Sequence, residues 1–405
     1  MAPLSFRTRL AWLALGAAIT AGCGGGGGSG PTTAEPVAPP APAASPATSP
    51  APSPAPAPAP SPAPAPAPTT SPASAFLYQD VTPSGNSVRI GLTTDGHTIT
   101  AYQRSVLTWQ VRGTGARPYG DPVFSRLANG RWQMTANTPP GDARGSMALL
   151  IHEGACPVVD EAAVRALSRS SAAGCEPAGN LAMAKTSQAV EHGGSRYLFH
   201  MADGKVMLMR LTDATRGVSD LSSICVRRTA ATTLADLAWG ESTTVLDGAA
   251  TGLLLSDAAA ARRADGTWAL FVKGIASNSG CSGGRLCELC SRSIWRTTSS
   301  DLIRWSPLEK VVDQASVPDA SLAGDGRVWL YWQDFGPTCK AQNLALAARA
   351  PIRGGPELDL ASAQPVRIPD EPFEANTQLH YPTNGNPVLL PDAAARSTLE
   401  ACLRP

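Results

Sequence analysis

Five times along this chain a polar residue opens a strand-like apolar stretch: Asp121, Ser187, Asp257, Asp319 and Asn386, at intervals of 66, 70, 62 and 67 residues. The clearest copies are YGDPVFSRLANGRWQM, LSDAAAARRADGTWALF and VPDASLAGDGRVWLYWQDF. In each, the stretch meets an Asn-Gly or Asp-Gly pair and returns as a strand rich in aromatics, which is the signature of a β-hairpin. TSQAVEHGGSRYLFH and GNPVLLPDAAARSTLEACL are weaker copies. A long repeat of hairpin-rich β units predicts an all-β chain folded as a β-propeller, and five copies predict five blades. In such a ring the starts of the inner strands converge on one axis, so residues remote in sequence face a common funnel.

The repeat occupies only the C-terminal part. Residues 1–22 read as a signal peptide: Arg7 and Arg9, then LAWLALGAAI, an apolar run too short to span a bilayer. The run ends in TAGC and resembles a bacterial lipoprotein signal, which makes Cys23 the lipidated residue of the mature N-terminus. From Cys23 to residue 74 the chain is a glycine run followed by Pro, Ala, Ser and Thr, with Glu35 the one charge between 31 and 74. That composition cannot bury a core, and the prolines of residues 31–74 hold that part extended, reaching at most ~135 Å. The expectation is a lipid-anchored stalk carrying a head over 75–405. The head would sit at the cell envelope, in the periplasm or at the cell surface. Gly24 after Cys23 favours the outer membrane over the inner by analogy with other lipoproteins.

Only 20 residues run from Asn386 to the C-terminus, too few for a blade, whereas SVRIGLTT, HTITAY and VLTWQV precede Asp121. TTDGHTIT followed by LTWQV also matches TSSDLIRWSPLEKVV at the end of the blade begun by Asp257. The N-terminal strands are therefore expected to complete the fifth blade and close the ring, which removes free sheet edges. Cys402 is placed to lock that closure. Apart from Cys23 the chain has eight cysteines, an even number that reads as disulfides in an exported protein. Cys156 with Cys175 would staple one long loop, and Cys287 and Cys290 would staple the loop from Ser277 to Ser291.

Carboxylates open the inner strands of the first, third and fourth blades. Converging carboxylates hold protons unequally, because like charges raise one another's pKa. Glycoside hydrolysis uses that arrangement, with one acid protonated and one ionised. An Asp at a strand start can equally cap a turn.

With acids in these three blades, and with SSDLIRWSPLEKVV and VPDASLAGDGRVWLYW as blade phrases, the head resembles glycoside hydrolase family 43 and related sugar-active propellers. The resemblance implies Asp121 as the general base that activates water, Asp257 as an orienting and pKa-tuning residue, and Asp319 at the place of the acid. The family carries a glutamate there, often followed by Gly-Pro, where this chain has Pro318-Asp319-Ala320. Two outcomes stay open: an arabinanase- or xylosidase-like glycosidase, or a propeller that binds glycans or proteins without cutting.

Second strands return to the same rim, which brings Asn137, His200, Asp203, Lys273, Gln333, Asp334 and Phe335 toward it. Trp332 is either a stacking platform for a sugar ring or packing between blades. Asn386 and His380 belong to the fifth blade's contribution, and His380 is either near a metal or axial water or simply on the surface. No cofactor is implied; a calcium ion at the axis is the one metal candidate. The partners expected are an oligo- or polysaccharide and, through the anchor, a membrane, with the head a monomer. With 33 basic and 32 acidic residues, nothing favours nucleic acid. Nucleophile-elbow, Walker, zinc-protease and dinucleotide motifs are missing from the sequence.

Overall fold

A computed structural model describes residues 73–404 except 83–84, 103–105, 110–119, 138–147, 160–187, 203, 211–221, 226–242, 277–283 and 370–381. The leader and stalk, with Cys23, lie outside the described residues, as do Cys175, Ser187, Asp203 and His380.

The head is a five-bladed β-propeller of five antiparallel sheets. The chain begins with β1 (Ser74–Thr82), β2 (Gly85–Thr93), β3 (Thr100–Ala101) and β4 (Leu107–Trp109). Blade 1 then opens with β5 (Gly120–Arg126), β6 (Trp132–Asn137) and β7 (Ala148–Gly154). Blade 2 follows with β8 (Gln188–His192), β9 (Ser195–Ala202) and β10 (Lys205–Arg210). Here the chain departs from a simple repeat. β11 (Ser222–Cys225) returns to pair with β7 as the outer strand of blade 1, and only β12 (Thr243–Asp247) completes blade 2.

Blade 3 comprises β13 (Leu253–Arg262), β14 (Trp268–Ala276), β15 (Arg292–Ser299) and β16 (Glu309–Asp313), with helix α1 (Arg285–Cys290) between its second and third strands. Blade 4 comprises β17 (Ala315–Leu322), β18 (Val328–Asp334), β19 (Ile352–Pro356) and β20 (Gln364–Pro365), with α2 (Gly336–Ala341) at the same place. β21 (Pro382–Leu389) is the inner strand of blade 5, and α3 (Ala393–Leu403) ends the chain. β21 pairs with β1, and β1 with β2, so the two ends of the chain close the ring as the sequence implies. The inner strands stand in the order β5, β8, β13, β17, β21 and back to β5.

Central strands are apolar on both faces because both faces are buried between blades, so they read as continuous apolar runs. In β14, Trp268, Leu270 and Val272 pack toward blade 2 with Phe199 and Met201. The alternate residues Ala269 and Phe271 pack toward blade 4 with Leu330 and Trp332. Phe76, Tyr78, Trp329 and Tyr331 fill the seam of blades 4 and 5, and Leu77, Phe124, Val388 and Leu399 fill that of blades 5 and 1. The alanine run Ala258–Ala261 is buried in β13, where the inner strands crowd toward the axis.

The three predicted hairpins share one turn. Leu127, Arg263 and Ala323 each donate a backbone bond to the residue four positions on, and Gly130, Gly266 and Gly326 take φ of 83°, 87° and 78°. Only glycine enters that region without steric cost. Asn129, Asp265 and Asp325 accept the amide two residues ahead at 2.9, 2.9 and 3.0 Å. The paired phrases noted in the sequence are also one turn. Asp95 Oδ1 accepts the amides of His97 and Thr98 at 2.8 and 2.7 Å, and Asp301 Oδ1 those of Ile303 and Arg304 at 2.9 and 2.8 Å.

Cys402 locks the ring closure as expected, whereas Cys156 and Cys290 differ from the loop-stapling pairings expected. Cys156, at the end of β7, bonds Cys402 of α3 rather than Cys175, and so joins blade 1 to the C-terminal helix across the ring closure. Cys290 bonds Cys339, joining α1 of blade 3 to α2 of blade 4 instead of stapling its own loop. Cys287 is also disulfide-bonded. Cysteine spacing along the chain does not reveal which loops the propeller stacks on one face.

Candidate functional site

Four of the five inner strands carry a β-bulge near the start, in the same register. In β5 the pairing shifts between Gly120 and Val123, in β13 between Ser256 and Ala258, and in β17 between Ser316 and Asp319. β21 has the same irregularity against β1, where Leu77 faces Asn386 and Gln79 faces Thr383. A bulge adds an unpaired residue, bends the strand and re-aims a side chain.

Counting from the bulges sorts the predicted acids. Asp121 and Asp257 are the bulge residues of blades 1 and 3. The corresponding residue of blade 4 is Val317, and that of blade 5 is Asn384. Asp319 and Asn386 lie two residues further along their strands, in register with Val123 and Ala259. Asp257 and Val317 have φ of 54° and 51°, left-handed values that a β-branched residue adopts only under strain.

Asp257 is 2% exposed, and its carboxylate forms an ion pair with the Lys273 ammonium of β14. Lys273 faces Ser256, the residue just before the bulge. The same second-strand position holds Asn137, Gln333 and Gln79 in blades 1, 4 and 5, a polar residue each time. In blade 2, His200 follows Phe199, which pairs with Gln188 at the start of β8. The side chains of Asp121, Asn137 and His200 lie outside the described residues.

Asp319 is fully buried opposite Tyr331, and its Oδ1 accepts the Ala320 amide at 2.9 Å. Tyr331 belongs to the seam with blade 5, where burial, and then the carboxylates of Asp95, Asp325 and Asp319, push its phenol far above the usual range. Asn386, 3% exposed, turns toward blade 1 and accepts the Phe124 amide at 2.7 Å. Trp332 is 5% exposed in the core between blades 3 and 4, the packing arrangement of the two weighed for it. Asp334 Oδ2 pairs with Arg353 at 2.9 Å, and Oδ1 accepts the Gly336 amide at 2.8 Å. Phe335 is buried against Leu289 and Cys339 rather than open at the rim.

One constellation escaped the sequence reading. Arg292 Nη1 donates to Ser316 Oγ at 3.1 Å, its Nε donates to Glu288 at 3.0 Å, and its guanidinium lies 5.8 Å over the Phe335 ring. Burial alone would raise the Glu288 carboxyl, but Arg292 and Arg285 hold it below the ordinary value. Arg292 thus ties α1 of blade 3 to the residue before the bulge of blade 4, beside the Cys290–Cys339 bridge. No motif marks it, because its partners are adjacent only once two blades have stacked. Among the described residues, no three or more His, Cys, Asp or Glu side chains converge as a metal site.

No family model matches the sequence, and no curated protein matches it. Solved structures similar in backbone architecture include an endo-arabinase from Bacteroides thetaiotaomicron VPI-5482, with 10% identity, a TM-score of 0.40, and 73% of this chain and 95% of that one covered. An exo-1,5-α-L-arabinanase from a bovine ruminal metagenomic library has 13% identity and a TM-score of 0.40, covering 71% of this chain and 90% of that one. A GH43 protein from Bacillus licheniformis has 11% identity and a TM-score of 0.36; the match covers 63% of this chain and spans 49% of that longer protein.

Proposed function

We propose that this protein is a carbohydrate-active propeller held at the cell envelope by a lipid on Cys23, and that it acts as a glycosidase of the arabinanase or xylosidase kind. The observation that carries the reading is the bulge register. Asp121 and Asp257 occupy one structural position in blades 1 and 3, at the end of the ring where the inner strands begin. Bulges next to active sites re-aim side chains in this way. In the proposed mechanism Asp121 activates water as general base, while Asp257, anchored by Lys273, orients the reacting groups. The substrate is an oligo- or polysaccharide, the head works as a monomer in the periplasm or at the surface, and the outer membrane is the proposed site of anchoring.

A second reading has its own observation. Asp319, the residue in the acid's place, is buried and engaged with the amide of Ala320. A propeller whose acid has turned into the fold binds glycans without cleaving them. Hydrolysis of aryl arabinofuranosides, xylosides, galactosides or fructans by the intact protein, abolished in Asp121→Asn, supports the glycosidase. Glycan retention without turnover of any substrate supports the binding module.

A further inference from the structure

The opposite face of the propeller, where the hairpin turns lie, carries several clefts, two of which adjoin at Asp95. One, of about 240 Å³, lies at the seam of blades 4 and 5 between Asp95 and the Asp325–Trp329 segment. The other, of about 550 Å³, runs from the same Asp95 along Thr98, Thr100 and Tyr102 to Arg396 and Glu400 of α3. Thr93, Thr94 and Asp95 line both, so the two form one elongated groove. Their volumes are in or just below the range of about 300–1,000 Å³ usual for small-molecule sites.

Four of the five charges along this groove are paired with one another. Asp325 Oδ2 accepts from Arg327 Nε at 2.8 Å and from the Trp329 indole at 3.2 Å. Glu400 accepts from Arg396 at 2.9 Å. Asp95 spends one oxygen on the amides of its own turn. The Asp95 carboxylate leaves the groove one negative charge in excess, which disfavours an anion. Among the charged groups stand the exposed threonines Thr94, Thr98 and Thr100. Tyr102 adds a hydroxyl that donates to Glu400 at 3.4 Å; burial and then Glu400 push its pKa up to about 12, so it stays protonated across the physiological range.

Hydroxyls both donate and accept, carboxylates accept and guanidinium groups donate. A ligand that satisfies such a wall carries many hydroxyls of its own and no carboxylate or phosphate. We propose that the groove is a second binding site, specific for a neutral, hydroxyl-rich oligosaccharide segment several sugar units long. A monosaccharide would fill one cleft and leave its neighbour empty. An apolar peptide would strand the threonine and carboxylate groups without partners. This site stands independently of the proposed chemistry on the bulge face.

Hydrogen–deuterium exchange on the full chain tests it, with linear arabino-, xylo- and galacto-oligosaccharides of five units and oligogalacturonate as the anionic control. Protection by a neutral oligosaccharide is expected at residues 93–102 and 323–331. The variant Thr94→Arg/Thr100→Arg, which fills the groove from exposed positions, should lose that protection and bind at least about tenfold more weakly at the groove. Its circular dichroism should match the parent. Protection confined to β13 and β17 would support the bulge-face site and overturn the groove. No protection by any neutral sugar, or preference for oligogalacturonate, would also overturn it.

Discussion

Asp257 and Val317 occupy the same place in neighbouring blades: each sits in the bulge of its inner strand with a left-handed backbone, at φ 54° and 51°. Asp257 secures its position through Lys273. Val317 is β-branched and only partly buried, so it bears the same backbone with less in return. Left-handed geometry outside glycine costs of order 1–3 kcal/mol, and asparagine tolerates it best among the other residues.

Val317→Asn is therefore expected to stabilise the head by about 1 kcal/mol, raising Tm by roughly 2 °C for a domain of this size. Calorimetry decides the matter. A lower Tm would mean that the packing of Val317 outweighs its backbone strain.

Lys273→Met should be severe. It leaves the buried Asp257 carboxylate without its ammonium partner, a change that typically costs about 3–5 kcal/mol. The double variant Asp257→Leu/Lys273→Met should recover most of that loss, because no uncompensated charge remains. Denaturant midpoints for both single variants and the double measure the coupling; additive losses would argue against the pair.

The two disulfides whose partners are both described should differ in weight. Cys156–Cys402 closes 246 residues and Cys290–Cys339 closes 49. On loop-closure entropy, removal costs about 5 kcal/mol for the first and about 4 for the second. Cys402→Ser should therefore lower the unfolding midpoint more than Cys339→Ser, and the reverse order would mean that local strain or unfolded-state structure governs.

Acid should weaken the head in two stages. Burial, only partly opposed by Asp95, holds His97 below its ordinary value. The unfolded chain thus takes up the proton first, and the contribution of His97, present above about pH 6.5, is lost as the pH falls through its folded value. The second stage involves Asp95, Asp301 and Asp325. Their turns and ion pairs hold them below ordinary carboxylate values, against the opposing effect of burial. Their contribution is present above about pH 4 and lost below it. Stability measured against pH should show both stages, and His97→Gln should remove only the first.

The five-blade ring was legible because its local signals agree. Asn129-Gly130, Asp265-Gly266 and Asp325-Gly326 mark hairpins by chemistry that needs no distant partner. The likeness of TTDGHTIT to TSSDLIRWSPLEKVV was also a local property, a carboxylate accepting the amides of its own turn. The register of the acids was less legible. Asp319 resembles Asp257 as the polar start of a strand, yet the bulge sets it two residues deeper and turns it toward Tyr331.

The sequence by itself determined the strands and their turns, since periodicity and turn chemistry act within short segments. Only the tertiary structure decided which residues share the bulge position, that Cys156 meets Cys402, and that Arg292 reaches Ser316. It also decided that β11 returns to blade 1. A bulge depends on the pairing of two strands and a cross-link on the stacking of two blades. Neither exists until the chain has closed its ring.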